Sequence, residues 1–173
     1  SDWNDNASAS IAGLDLVPNE LVVATVEIAG QDTDAILISD AVTHRVAALN
    51  ELGEFLFSLD LERPGYEGAV GGMTGLAMGP GARWVLDAGT LALQGSFVAG
   101  WTNEFESDGV VLAYRNLAPL ASVAADDRFA PIPTAVLDGT EGNILAPHGQ
   151  LPFGAVFDTD GNLYAIDTNT ERL

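Results

Sequence analysis

Short apolar runs separated by turn residues make up most of the chain. Residues 21–28 (LVVATVEI), 96–101 (SFVAGW) and 110–115 (VVLAYR) are each rich in β-branched, aliphatic or aromatic side chains. Such runs, bounded by Gly, Pro, Asn and Asp, are typical of buried β-strands. No segment has a sustained helical period, so the pattern predicts an all-β protein with little or no helix.

One strand-turn-strand pattern occurs twice, 127 positions apart. Residues 36–46 read ILISDAVTHRV, and residues 163–173 read LYAIDTNTERL. Each copy is an apolar strand that ends in Asp (Asp40 or Asp167), followed by four residues and an Arg (Arg45 or Arg172) that opens a second strand. We expect the Asp and Arg of each copy to brace this connection by a charge-assisted hydrogen bond, which is a structural rather than a catalytic role. A third of the separation is about 42 residues, the length of one four-stranded propeller blade.

A looser third copy repeats the two-strand arrangement. Residues 75–81 (GLAMGPG) lead into the apolar run 83–87, as residues 154–161 (GAVFDTDG) lead into 163–167. The Pro-Gly and Asp-Gly pairs provide turn geometry between the strands. Both segments are therefore predicted to be two-strand units with a tight turn. At 158–162 we favour a β-turn over a calcium loop, because Asn169 stands where an EF-hand loop needs a bidentate Glu.

Residues 151–173 resemble an NHL-type β-propeller repeat. The shared pattern is Pro-x-Gly, an apolar strand, Asp-x-Asp-Gly, a second apolar strand ending in Asp, and then Asn and Arg. Asn169 and Arg172 stand one residue further apart than in that pattern, and 75–87 lacks the closing Arg. Residues 36–53 resemble the later part of the repeat. The resemblance implies a propeller, whose rings are often interaction platforms.

The blade period predicts the organisation of the chain. We expect a polar tail at 1–13 and a β-propeller over 14–173 with about three to four four-stranded blades. The blades are placed at about 21–62, 73–100 and 101–140, with a partial blade at 151–173. A truncated larger propeller is the favoured interpretation. The alternatives are closure of the last blade by the strand at 21–28 or completion of the ring by another chain, since open edges invite strand pairing.

Composition restricts the partners and suggests the environment. The chain has 25 acidic residues, six Arg and no Lys, with a net charge of −19. Nucleic acid and anionic membranes are disfavoured, because both need basic clusters, and no apolar run is long enough to span a membrane. The charge fits either adaptation to high salt or an acidic secreted protein. The polar start of the chain favours export to a periplasmic, cell-surface or extracellular location.

Candidate chemistry is concentrated in the loop that follows residue 101. An aromatic ring, an amide and carboxylates stand close together there, a set that suits sugar stacking or Ca²⁺ binding, while a solvated acidic loop is the simpler alternative. One histidine in a predicted loop is a further candidate, whereas His44 is interpreted as a surface turn residue. The candidate binding residues are Trp101, Asn103, Glu104, Glu106, Asp108 and His148.

Three functions fit the sequence. The first is an exported, non-enzymatic module that binds a protein or a carbohydrate, with no cofactor. The second is a calcium-dependent lactonase or esterase, which would need metal ligands from several blades. The third is a structural subunit that assembles by strand pairing between chains. No Gly-x-Ser-x-Gly elbow is present, and two His without Cys exclude a His-rich zinc site within one chain.

Overall fold

The protein is built from β-strands. The computed structural model describes residues 16–62, 71–103, 109–123, 127–137 and 152–167, and these ranges contain strands and turns but no helix. The all-β prediction is confirmed. The strands are β1 Pro18–Ile28, β2 Gln31–Asp40, β3 Arg45–Asn50, β4 Phe55–Asp60, β5 Gly71–Met78, β6 Arg83–Asp87, β7 Thr90–Gln94, β8 Ser96–Asn103, β9 Gly109–Arg115, β10 Leu120–Ala121, β11 Arg128–Phe129, β12 Ala135–Leu137, β13 Pro152–Phe157 and β14 Leu163–Asp167.

Eight strands form a nearly closed, barrel-like sheet. Their order is β10-β7-β6-β1-β2-β3-β4-β11, with parallel pairs at β1/β6 and β4/β11 and antiparallel pairs elsewhere. The residues that follow the edge strand β10 reach the other edge strand, β11: the Val123 N–H donates to the Arg128 carbonyl at 2.7 Å, and the Ser122 hydroxyl donates to the same carbonyl at 3.1 Å. Bringing the edges together satisfies backbone groups that an open sheet would expose.

A four-stranded sheet and a hairpin complete the layers. The smaller sheet has the order β12-β9-β8-β5, and β13 pairs with β14 in an antiparallel hairpin. One face of the smaller sheet joins the main core, which it shares with the eight-stranded sheet. Its other face packs on the hairpin through one small apolar cluster, formed by Ala77, Val98 and Val111 on the sheet and Ala155, Phe157, Leu163 and Ala165 on the hairpin. The smaller sheet is therefore the middle layer.

A chain of aromatic rings links the two sheets through the main core. Trp84 on β6 lies 5.9 Å from Phe57 on β4 and 5.5 Å from Phe97 on β8, measured between ring centroids. Phe97 in turn lies 5.8 Å from Tyr114 on β9, and Phe57 lies 6.4 Å from Phe129 on β11. These separations are those of favourable edge and offset ring contacts. The Trp84–Phe97 contact therefore joins the aromatic residues of the two sheets.

The strand ends of the repeated pattern lie where the sequence predicts them. β2 ends at Asp40, β3 begins at Arg45, and β14 ends at Asp167. The hairpin at 152–167 is also confirmed as a two-strand unit with a tight turn.

The prediction that residues 75–87 form such a unit is wrong. β5 pairs with β8 in the four-stranded sheet, whereas β6 pairs with β1 and β7 in the eight-stranded sheet. The physical reason is burial on both faces of β5, where Met73 and Leu76 face the main core and Ala77 faces the hairpin. A strand with two apolar faces belongs in a middle layer.

A propeller is not shown by the described residues. The first predicted blade, 21–62, corresponds to an antiparallel meander, β1 to β4, within the eight-stranded sheet. The strands in the second predicted blade, 73–100, are divided between the two larger sheets. What the structure establishes is an all-β fold with a barrel-like sheet.

Candidate functional site

The carboxylate at the end of β2 organises the turn into β3. Asp40 is 2% exposed and accepts hydrogen bonds from the Val42 N–H at 2.9 Å and the Thr43 hydroxyl at 2.7 Å. It also accepts from the Val17 N–H at 3.3 Å, which ties the segment before β1 to this turn. These donors offset the cost of removing the carboxylate charge from water, and the structural role predicted for Asp40 stays a prediction.

The arginine at the start of β3 lies against the neighbouring strand. The Arg45 Nε atom is 3.6 Å from Asp60 Oδ1, and the Arg128 Nε atom is 3.3 Å from Asp60 Oδ2. One carboxylate at the end of β4 thus holds arginines from β3 and β11, on either side of it in the sheet. The predicted pairing of Asp40 with Arg45, and that of Asp167 with Arg172, stays a prediction; Arg172 lies outside the described residues.

The residues predicted to bind a ligand are only partly within the described ranges. Trp101 lies on β8 in the main core with 1% of its surface exposed, so its ring packs against protein rather than solvent. Asn103 is the last residue of β8. The rest lie outside the described residues, and their binding role stays a prediction: Glu104, Glu106, Asp108 and His148.

A groove of about 440 Å³ lies between the hairpin turn and the edge of the smaller sheet. One wall comes from the hairpin turn, and the other comes from the turn after β5 and the residues that connect β7 to β8 and follow β9. The lining residues are Gly79, Pro80, Gly95, Ser96, Arg115, Asn116, Phe157, Thr159, Asp160 and Gly161. Sequence reasoning missed this groove, although it had placed the turn and the strand ends that form it.

The hairpin wall is rigid because one side chain holds the whole turn. Asp158 Oδ1 accepts from the backbone N–H groups of Asp160 at 3.0 Å and Asn162 at 2.8 Å. Asp158 Oδ2 accepts from the Asn162 side-chain amide at 2.8 Å and the Tyr164 hydroxyl at 3.2 Å. The predicted β-turn is confirmed, with Gly161 at φ 85° completing it. Such side-chain bonds to the backbone stabilise turns, so the backbone that carries Thr159 and Asp160 is held in one conformation.

The sheet wall is fixed by a reciprocal pair of hydrogen bonds. The Asn116 N–H donates to the Gly95 carbonyl at 2.9 Å, and the Gly95 N–H donates to Asn116 Oδ1 at 2.9 Å. Asn116 has φ 47° and Gly95 has φ 86°, a backbone region that Asn and Gly tolerate best. Because Oδ1 is the acceptor, the side-chain nitrogen of Asn116 is left as a donor that no described residue uses.

Arg115 is the described arginine that is not paired with a carboxylate. Arg45 and Arg128 share Asp60, and Arg83 lies 3.2 Å from Asp32 and 3.5 Å from Glu27. The exposed Arg115 guanidinium forms no ion pair within the described ranges, despite the net charge of −19. The groove therefore carries a positive group available to a ligand, beside the carboxylate of Asp160.

The hairpin turn is expected to respond to pH through Asp158. Hydrogen bonds from the Asn162 side chain, and then from the Asn162 backbone, lower the pKa of this carboxyl below its ordinary value of 3.8. A lowered folded-state pKa means that the stabilisation is complete above the ordinary value and is lost as the pH falls through the folded-state pKa. We expect the amide signals of Asp160 and Asn162 in a ¹⁵N NMR titration to shift in one step with a midpoint below 3.8.

The Asp158→Asn variant is the control for this titration. Its side-chain oxygen still accepts from the two backbone N–H groups, but it has no proton to gain. The step is expected to disappear while the hairpin signals remain. A midpoint at or above the ordinary value, or an unchanged step in the variant, contradicts the assignment.

Comparisons with protein-family models, with curated proteins and with solved structures gave no match. Across the described ranges, no group of three or more His, Cys, Asp or Glu side chains is arranged to hold a metal ion.

The same part of the chain contains no helix of the length and apolarity needed to cross a membrane.

Proposed function

We propose that this protein is an exported, acidic, non-enzymatic binding module that holds a carbohydrate in the groove beside Arg115. The observation that carries the proposal is a groove of about 440 Å³ between two braced walls, lined by hydrogen-bonding groups that no described residue uses. Small-molecule sites are typically about 300–1,000 Å³ and largely preformed. A protein partner would instead require a wider surface.

The chemistry of the lining suits a polyhydroxylated ligand. Ser96 and Thr159 present hydroxyl groups, Asn116 presents an amide donor, and Asp160 presents a carboxylate acceptor. A sugar hydroxyl donates one hydrogen bond and accepts others, so this mixture matches it. The half-buried Phe157 adds an apolar surface for the C–H face of a sugar ring. Nothing in this set resembles an activated nucleophile, so binding without reaction is the simplest function.

A propeller-type origin and export belong to the same proposal. We infer that β1 to β4 is a divergent NHL-type blade, supported by the four consecutive antiparallel strands and by the strand ends at Asp40 and Arg45. The acidic composition supports an exported protein, and it equally supports adaptation to high salt. No observation on the described residues favours the lactonase or the strand-pairing alternative.

Blocking the groove tests the proposal. We expect Thr159→Trp to abolish binding of saccharides that the unmodified protein retains on a glycan microarray, because the indole would occupy the space above the turn. Leu52→Trp is the matched control. Leu52 is 76% exposed in the turn between β3 and β4, and a tryptophan there leaves the groove unchanged.

Two results would overturn the proposal. The first is the absence of any retained saccharide on the array for a protein shown to be folded by circular dichroism. The second is equal loss of binding in both variants, which would mean that a general surface change rather than the groove is responsible.

A further inference from the structure

We propose that the ligand of the groove is an acidic sugar, a uronic acid residue whose carboxylate pairs with Arg115. This inference rests on the proposed carbohydrate function and names the substrate class of the same site. The key juxtaposition in the groove lining is the Arg115 guanidinium, which has no carboxylate partner among the described residues, and the Asp160 carboxylate on the hairpin turn. The guanidinium requires a hydrogen-bond acceptor on the ligand, and the carboxylate requires a donor.

The described arginines other than Arg115 are paired with carboxylates. Arg45 and Arg128 lie on either side of β4, at 3.6 Å and 3.3 Å from the Asp60 carboxylate. Arg83 lies 3.2 Å from the Asp32 carboxylate. Carboxylates far outnumber arginines in this chain, 25 against six. We explain an arginine that lacks a carboxylate partner among the described residues, in a chain so rich in acids, by a ligand carboxylate, because the planar guanidinium binds carboxylates through two parallel hydrogen bonds.

The remaining lining identifies the rest of the ligand. The Asp160 carboxylate can only accept hydrogen bonds, so it requires a donor such as a sugar hydroxyl. The Asn116 amide nitrogen can only donate, so it requires an acceptor such as a ring or hydroxyl oxygen. A simple carboxylic acid would satisfy Arg115 and leave both of these groups unpaired. A hydroxylated acid satisfies all three, and a uronic acid residue also presents a C–H face to Phe157.

The net charge of the protein does not prevent binding of an acid. At an ionic strength of 0.15 M the screening length is about 8 Å, so charges on distant faces are largely screened at the groove. Pairing at hydrogen-bond distance depends on the local groups, which are Arg115 and, from the opposite wall, Asp160. These two charges of the lining offset each other, and the neighbouring Asp158 carboxylate is engaged by four hydrogen bonds within the hairpin turn.

The test compares matched acidic and neutral sugars on the full chain. Isothermal titration calorimetry at 0.15 M salt uses galacturonate and glucuronate oligosaccharides and the corresponding galactose and glucose oligosaccharides. We expect the acidic probes to bind about 10-fold or more tightly than the neutral ones. Arg115→Gln should reduce this preference to about 1-fold, and Arg115→Lys should retain only part of it because an ammonium cannot form the paired contact.

Arg83→Gln is the control, since it removes the same charge at an ion pair with Asp32 and Glu27 outside the groove lining. Its preference for acidic sugars should be unchanged. Equal binding of acidic and neutral probes, or an unchanged preference in Arg115→Gln, overturns this inference while leaving the carbohydrate function intact. Binding of none of the four probe types to a protein shown to be folded by circular dichroism overturns both.

Discussion

Gly100→Ala is expected to destabilise the protein by about 3 kcal/mol or more, a loss large enough to unfold a marginally stable domain. Gly100 lies opposite Thr74 in the pairing of β8 with β5, beside a bulge at Gly75, which has φ 74°. A Cβ atom at position 100 would overlap the carbonyl oxygen of Thr74. β5 cannot move away, because it is packed between the main core and the hairpin. Urea denaturation followed by circular dichroism measures the loss.

The control for this prediction is Gly30→Ala in the turn between β1 and β2. Gly30 has φ 79°, but a Cβ atom there would meet nothing within 4 Å. The expected cost is only that of the left-handed backbone, about 1–2 kcal/mol. If Gly100→Ala costs no more than Gly30→Ala, then β5 and β8 do not approach each other as described, and the layer arrangement is wrong.

The second large effect is expected for Trp84→Ala, at about 3–5 kcal/mol. Trp84 is fully buried and contacts Phe57 within the eight-stranded sheet and Phe97 in the smaller sheet. Its removal takes out the ring that joins the two halves of the aromatic chain and leaves a cavity between the layers. We expect a lower urea midpoint and exposure of the core to the dye ANS before global unfolding.

Tyr114→Phe provides the contrast, because it changes the same aromatic chain without creating a cavity. Burial raises the pKa of the Tyr114 hydroxyl well above its ordinary value, and this hydroxyl has no hydrogen-bond partner among the residues that the structure describes. Removing an unsatisfied buried hydroxyl is expected to be neutral or to stabilise the protein by up to about 1 kcal/mol. A loss comparable to that of Trp84→Ala would show that the hydroxyl has a partner and that the core differs from this description.

The two turns that line the proposed site are held by hydrogen bonds from side chains. Asp158 and Asn116 each use their side chains to hold a turn, and neither is proposed to carry the main ligand contact. Their neighbours, Asp160 and Arg115, are left with unused polar groups because the turns are already satisfied. Preorganised polar groups lose little conformational entropy on binding, so the groove can be specific without being deep.

Local structure was largely predictable from the sequence. The strand that ends at Asp40, the strand that begins at Arg45 and the hairpin turn at 158–162 follow from apolar runs, Asp-Gly chemistry and side-chain bonds to nearby backbone groups. These features depend on residues within a few positions of one another. The same local rules predicted an all-β chain with little or no helix, and the described residues confirm the all-β class.

Sheet membership and the candidate site were decided by tertiary structure. The segments 75–81 and 154–161 read alike, yet β5 pairs with the distant β8 while β13 pairs with its neighbour β14. β5 joins the middle sheet because one of its apolar faces is covered by the main core and the other by the hairpin. Trp101 likewise reads as a loop-side aromatic but lies in the core. The groove joins Arg115 to Asp160, 45 positions apart, and only the packing of the hairpin on the smaller sheet brings them together.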